Sequence, residues 1–310
     1  MKTMKKVIGM KKLAPMRSVV SSGLVIGLIL LASCEDKLEF NSRDTSSVEN
    51  EAVVDGYFED ADDMALTVVS ADEGTLSGGR ESAGRFIGKN KLDLRFACET
   101  TTVTIDFALD NTIAIPHGII TVDFGTTGCT DSKGNTRKGK VIVEFKGRRF
   151  FPGSTVVATT DGYSINGVSL EGTRTVTNIT GSKEESPKFN VVLENGKATW
   201  IDGSVATRDV NRVHEWIRAT NPLNDEWHVT GTAGGTNRNN EVYEMNITSE
   251  LVYKRECAIS SRVFMAVQGT KELTVNGRRL TIDYGTGECD RIVTISVDGQ
   301  SKQVEVKGDI

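Results

Sequence analysis

Residues able to do chemistry are few and scattered in this 310-residue chain. It holds three histidines, and none has a second at metal-ligand spacing. His117 sits in a turn composition between Pro116 and Gly118, His214 alternates with Arg212 and Trp216, and His228 alternates with Glu226. The acidic run Glu59, Asp60, Asp62, Asp63 could offer oxygens to calcium, but it lacks the alternating spacing and central glycine of a calcium loop. Acids near a helix start are in any case favoured by the helix dipole. Asp131 also admits a calcium reading, and the surrounding turn residues are enough to explain it. No nucleophile elbow is present, since "GVSLEG" from 167 has the wrong spacing, and "GTAGG" from 231 lies between strand-like runs instead of opening a helix. These patterns predict no catalytic residue, no metal, no cofactor and no enzymatic activity.

Two other residue sets carry more information. Trp200, Trp216 and Trp227 fall in one stretch, with Tyr163 upstream. Aromatics on a wet strand face can stack on sugar rings, whereas a tryptophan in a sheet is also a common half-buried core residue. They are the candidate ligand-binding aromatics. The second set is Cys98, Cys129, Cys257 and Cys289. "TVDFG" (121–125) aligns with "TIDYG" (281–285), and in each a cysteine follows four residues after the glycine. Each also has an upstream cysteine, 31 residues before Cys129 and 32 before Cys289, and a strand-like run downstream. Of the three connectivities open to four cysteines, Cys98–Cys129 with Cys257–Cys289 respects this repeat. A metal site lacks paired C-x-x-C spacing.

The elements that must position these residues read as strands. Ile120, Val122 and Phe124 alternate with polar residues, as do Leu280, Ile282 and Tyr284, and Val293, Ile295 and Val297. Period two with one polar face predicts a sheet packed on one side and wet on the other. Asp161-Gly162, Asn166-Gly167, Asn195-Gly196, Asp202-Gly203 and Asn276-Gly277 suit tight hairpin turns. The expectation is an all-β antiparallel meander forming a sandwich or a strongly curved sheet, preceded by a short helical segment. Residues 44–72 read as helix, with Ser46 and Glu49 placed for a capping box, and 73–90 as a Gly-rich linker or loop.

The amino terminus supplies the address. Residues 1–33 hold six basic residues and no acid, followed by an apolar run over 24–31 too short to span a membrane. The run ends Leu31-Ala32-Ser33-Cys34. A basic head, a short apolar core and a lipobox closing on cysteine resemble bacterial lipoproteins. The resemblance implies that 1–33 is a signal peptide and that Cys34 becomes the acylated (palmitate-bearing) first residue. Met4, Met10 and Met16 are further possible starts. Glu35 and Asp36 resemble the acidic export tag of Bacteroidota lipoproteins, implying an outer-membrane location, at the cell surface or otherwise facing the periplasm. The pattern over 124–147 is also similar to uncharacterised Bacteroidota lipoproteins, which bring no activity with them.

The domain reading is therefore a signal peptide at 1–33, a tether with short helices and linker at 34–90, and a β domain at 91–310. Removing the signal leaves 31 basic against 42 acidic residues, a net charge of −11. That balance argues against nucleic acid and against electrostatic docking on anionic lipid, so membrane attachment falls to the acyl chains at Cys34. The expected function is a lipid-anchored cell-envelope protein with a binding or structural role, its partner a glycan or an envelope protein. Two alternatives are a carrier holding a lipid or acyl chain in a curved β groove and a surface glycan-binding lipoprotein. A carrier should show a continuous apolar groove, and a binding module should show a filled core.

Overall fold

The computed structural model describes residues 42–76, 85–86, 96, 98–112, 114–182 and 185–306. Cys34, Glu35 and Asp36 lie outside them, as does most of the expected linker. Among the described residues a single helix, α1 (Ser42–Leu76), precedes the sheet. The first strands are β1 (Arg85–Phe86), β2 (Thr102–Phe107), β3 (His117–Asp123), β4 (Cys129–Thr130) and β5 (Thr136–Lys146). Then come β6 (Thr155–Ile165), β7 (Val168–Asn178), β8 (Lys188–Thr199), β9 (Val205–Ile217) and β10 (Glu226–Thr236). The last are β11 (Val242–Lys254), β12 (Gln268–Val275), β13 (Arg278–Thr286), β14 (Ile292–Val297) and β15 (Gln300–Glu305). Each pairs antiparallel with its neighbour in sequence, except that β4 lies off the path and β3 pairs with β5. The result is one continuous open meander, so of the two expected shapes the curved sheet is the one formed.

Three of the five turn dipeptides make hairpins: Asn166-Gly167 between β6 and β7, Asp202-Gly203 between β8 and β9, and Asn276-Gly277 between β12 and β13. The other two do not turn the chain. Gly162 (φ 59°) and Asn195 (φ 55°) lie inside β6 and β8, where the register slips by a bulge. The same positive φ that suits a hairpin also suits the extra residue of a bulge, so the dipeptide alone does not separate the two. At one bulge Gly139 faces Gly162, and a Cβ on Gly139 would lie 2.2 Å from the Gly162 carbonyl oxygen. Bulges recur in the pairings from β5 to β13, and each bends its strand.

The bend wraps the sheet around α1. Glu59 and Asp60 are adjacent on the helix and so diverge by about 100°. Yet Glu59 reaches Arg212 on β9 while Asp60 reaches Arg137 on β5. Both arginines share a sheet face, so that face must curl around the helix. The helix has no single apolar stripe: Val48, Val54, Phe58, Met64 and Val68 are buried, and so are Asp44, Glu51 and Asp62. It starts at Ser42, so Ser46 is not an N-cap; its hydroxyl donates to the Arg43 carbonyl inside the first turns. Nor do the acids at 59–63 sit at a helix start. They lie mid-helix, where Glu59, Asp60 and Asp62 pair with sheet cations.

The inner face of the sheet continues the core through Val122, Val143, Leu170, Val191, Val210, Met245, Leu273 and Ile282. Burial at such positions contributes about 1.5–3 kcal/mol each. Both expected disulfides form, Cys98–Cys129 with Cα atoms 5.8 Å apart and Cys257–Cys289 with Cα atoms 5.0 Å apart. The first ties the chain before β2 to β4, and the second ties the loop after β11 to the β13–β14 loop. Replacing either pair by serine should cost about 3–4 kcal/mol in the chain-entropy account. Urea melts of the two double variants beside the oxidised parent check this, and parental stability in either variant would show that its bridge constrains nothing.

Candidate functional site

Along the inner face, cations occupy positions that period-two packing would give to apolar side chains. Arg208 and Arg212 alternate with buried Ala206 and Val210 on β9. Arg208 Nη2 donates to Glu51 Oε1 at 3.1 Å and to Asp55 Oδ1 at 2.6 Å. Arg212 grips Asp55 Oδ2 at 2.9 Å and Glu59 Oε1 at 3.0 Å. Lys271 Nζ on β12 donates to Glu51 Oε2 at 2.6 Å, and Arg278 on β13 holds both oxygens of Asp44 at 2.6 and 3.0 Å. Arg174 on β7 pairs with Asp62. At the far end Arg137 is fully buried, donating to Asp60, to Asp131 at 3.2 Å and to the Tyr163 hydroxyl at 2.7 Å. Burial pushes the Glu51 and Asp55 carboxyls up, but the neighbouring Lys271, Arg208 and Arg212 charges outweigh it and hold both below the usual carboxylate range.

The second half of α1 stands away from the strand ends of β7–β11 and leaves a cavity of about 370 Å³. Phe189, Trp227, Tyr253 and Phe264 form its aromatic walls, and Glu59, Asp62, Arg174 and His214 its polar lining. Trp227 lies directly opposite Trp216 in the β9–β10 register, the rings stacked at 5.8 Å and 18°. Phe189 approaches Trp227 at 6.1 Å, and Phe150 approaches Trp216 at 5.5 Å. The Nε2 of His214 and the Nε of Arg174 are buried with no hydrogen-bond partner. Burial, reinforced by the Arg174 and Arg212 charges, pushes His214 down to about 3, so the ring is neutral at physiological pH. Burial and the Asp55 charge lift Glu59 to about 7 against the pull of Arg212, and burial lifts Asp62 well above its usual range despite Arg174.

The candidate tryptophans thus divide. Trp216 and Trp227 come together beside the cavity. Trp200 lies at the opposite end of β8, edge-on to Tyr57 at 6.4 Å with the Arg238 guanidinium 4.3 Å above its ring. Tyr163 is fully buried as an acceptor for Arg137. His117 pairs with Asp110 at 2.7 Å on the surface, and His228 lies between Glu226 and Glu250 on the outer face. A second depression, about 700 Å³ and open, lies on the outer face among Glu194, Asp209, Asn211, Glu244, Asn246 and Glu272, with no aromatic wall. Among the described residues no cluster of histidine, cysteine and carboxylate groups could hold a metal, and no helix is long and apolar enough to cross a membrane. Sequence reading did not find Arg174, Phe189 or the pairing of α1 acids with sheet cations. The available signal was an arginine in the buried phase of a strand. Compared with protein families, curated proteins and solved structures, the chain matches none.

The two displaced groups act on stability in opposite pH windows. Glu59 binds its proton more tightly when folded, so its contribution is complete below about 4.5 and lost as pH rises through about 7. His214 excludes its proton when folded, so its contribution is complete above 6.5 and lost as pH falls towards about 3. Glu59→Gln should flatten the fall in stability across the first window by about 1 kcal/mol, a value reduced because its side chain is 39% exposed and screened by solvent. His214→Gln should flatten the loss across the second. Urea melts over a pH series test both, and parental pH slopes in both variants would contradict this charge assignment.

Proposed function

We propose that the protein is a lipid-anchored cell-envelope protein whose role is binding, with the cavity between α1 and the β7–β11 strand ends as its site. The observation that carries this reading is a formed cavity with aromatic walls and two buried polar atoms, His214 Nε2 and Arg174 Nε, that lack partners. Buried polar atoms without partners are uncommon in folded proteins and favour a ligand that supplies them. The anchor reading rests on the lipobox ending at Cys34 and on its acidic sequel, Glu35 and Asp36.

A neutral, hydroxyl-bearing ring fits the lining best. Arg212 is matched by Asp55, and the Arg174 guanidinium is already in contact with Asp62, so an ionic ligand would have to displace a contact. What remains is one nitrogen that can accept, one N–H that can donate, and the flat faces of Trp227 and Phe189. A sugar ring offers hydroxyls to the first two and an apolar face to the others. The acyl-carrier alternative has less support, because α1 and its ion pairs occupy the inner face where a continuous apolar groove would run.

The anchor is tested by labelling cells with an alkynyl fatty acid: the parent should take up label and Cys34→Ala should not, whereas equal label on both would refute lipidation. The site is tested by saturation-transfer NMR against soluble neutral oligosaccharides, with palmitate as the rival ligand. Transfer from a saccharide, weakened by Trp227→Ala and by His214→Ala, is expected. Stoichiometric palmitate binding with no saccharide signal would replace this reading with the carrier.

A further inference from the structure

In an up-and-down meander, alternate loops lie at the same end of the sheet. The β2–β3, β5–β6, β7–β8, β9–β10, β11–β12 and β13–β14 connections share one end, because the last residue of β5, Lys146, pairs with His117 and with Thr155. Eight of the thirteen large apolar side chains exposed among the described residues lie in these loops. Leu109 and Ile115 stand on the β2–β3 loop, Leu109 with no neighbour reducing its exposure, and Phe150 and Phe151 on β5–β6. Ile179 follows β7, Leu223 lies between β9 and β10, and Ile259 and Phe264, 60% and 58% exposed, stand between β11 and β12. The opposite end has Ile201 and Val242. The six connections of this end hold 52 residues against 28 at the other, so chance scatter would load it about twice as heavily, not four times.

We propose that this end of the sheet seats on a lipid bilayer, its loop tips entering the boundary between headgroups and acyl chains. Three observations favour lipid over a protein partner. The tips are one or two side chains on each of five separate loops across the width of the sheet, and a fluid apolar phase can accept such fingers where a rigid partner would need a continuous matching patch. The charges of these loops cancel, six arginines (148, 149, 218, 255, 262, 291) against six acids (110, 185, 225, 256, 288, 290), with Lys183 and Glu184 cancelling in turn. The chain beyond the signal carries a net −11, so this end is free of the repulsion that the rest of the molecule meets at an anionic surface. Behind the tips, Trp216 and Trp227 stack at the strand ends, with the Arg218 guanidinium 5.8 Å above the Trp216 ring. Aromatic rings and arginine stems of this kind suit the interfacial layer. The seat is independent of the cavity's ligand and of acylation at Cys34. Phe264 lines the cavity as well as being exposed, and the Lys133 ammonium of the β4–β5 turn lies 5.6 Å above its ring.

The test uses the processed chain from residue 34 onward, with Cys34→Ser so that no acyl group contributes, floated with phosphatidylethanolamine–phosphatidylglycerol vesicles. The parent should float with the vesicles. The double variant Leu109→Ser with Ile259→Ser, neither of which lines the cavity, should lose at least about tenfold in vesicle affinity, about 1.4 kcal/mol, while keeping the parental circular dichroism and unfolding midpoint. Ile201→Ser, at the other end, should bind as the parent does. Absence of flotation, equal flotation of the double variant, or an equal loss in Ile201→Ser would each overturn the proposal. So would self-association abolished by the double variant without vesicle binding, which would assign the face to a second copy of the chain.

Discussion

Six carboxylates on α1 and six cations on the inner sheet face determine how this molecule is put together. Glu51 is 3% exposed and Arg208 fully buried, and between them Asp55 bridges Arg208 to Arg212. A buried ion pair contributes little net stability compared with a well-packed apolar pair, but leaving one partner alone costs about 3–5 kcal/mol. Its effect is therefore on specificity. Sliding α1 by one turn, about 5.4 Å, would misplace Asp44, Glu51, Asp55, Glu59, Asp60 and Asp62 together. The helix has one position in which these six carboxylates each meet a cation, and the apolar contacts of Phe58, Met64 and Val68 are made in that position.

The sheet's shape follows from the same constraint. Strands that must each present an inward cation or apolar side chain to one helix have to curl, and the bulges at Gly139, Gly162 and Asn195 supply the bend. Beyond Glu59 the helix stays on β5 and β7 through Asp60 and Asp62, and the space between it and the ends of β8–β11 remains open. The chemistry of the cavity is inherited from the ion network that ends there. Burial, reinforced by Arg174 and Arg212, keeps His214 neutral, and burial, reinforced by Asp55, keeps Glu59 partly protonated near pH 7.

Much of the sheet was legible from residue patterns, because burial of one face imposes period two on the sequence. The runs around Ile120–Phe124 and Val293–Val297, the all-β class and both disulfides follow from alternation and from the repeated cysteine spacing. The helix was legible as a helix but not as a core element. Its acids read as a solvated or dipole-stabilised face, since nothing local distinguishes a carboxylate facing water from one facing Arg208. Its partners are long-range, 153 residues apart for Asp55 and Arg208. Arg208 and Arg212 in phase with Ala206 and Val210 were the one available hint. Of the aromatics, Trp216 and Trp227 could be paired only once the β9–β10 register was known, and Trp200 shares their stretch of sequence but not their end of the sheet.

The central claim is that α1 is the interior of the sheet and not a segment resting against it. Native-state hydrogen exchange of the processed chain tests this most directly. Amides from Val48 to Val68 should open only with global unfolding, with protection equal to that of the β8–β9 amides around Val191 and Val210. Exchange of the helix at a free energy well below that of β8–β9 would show that the sheet holds its shape without α1, and would contradict the account.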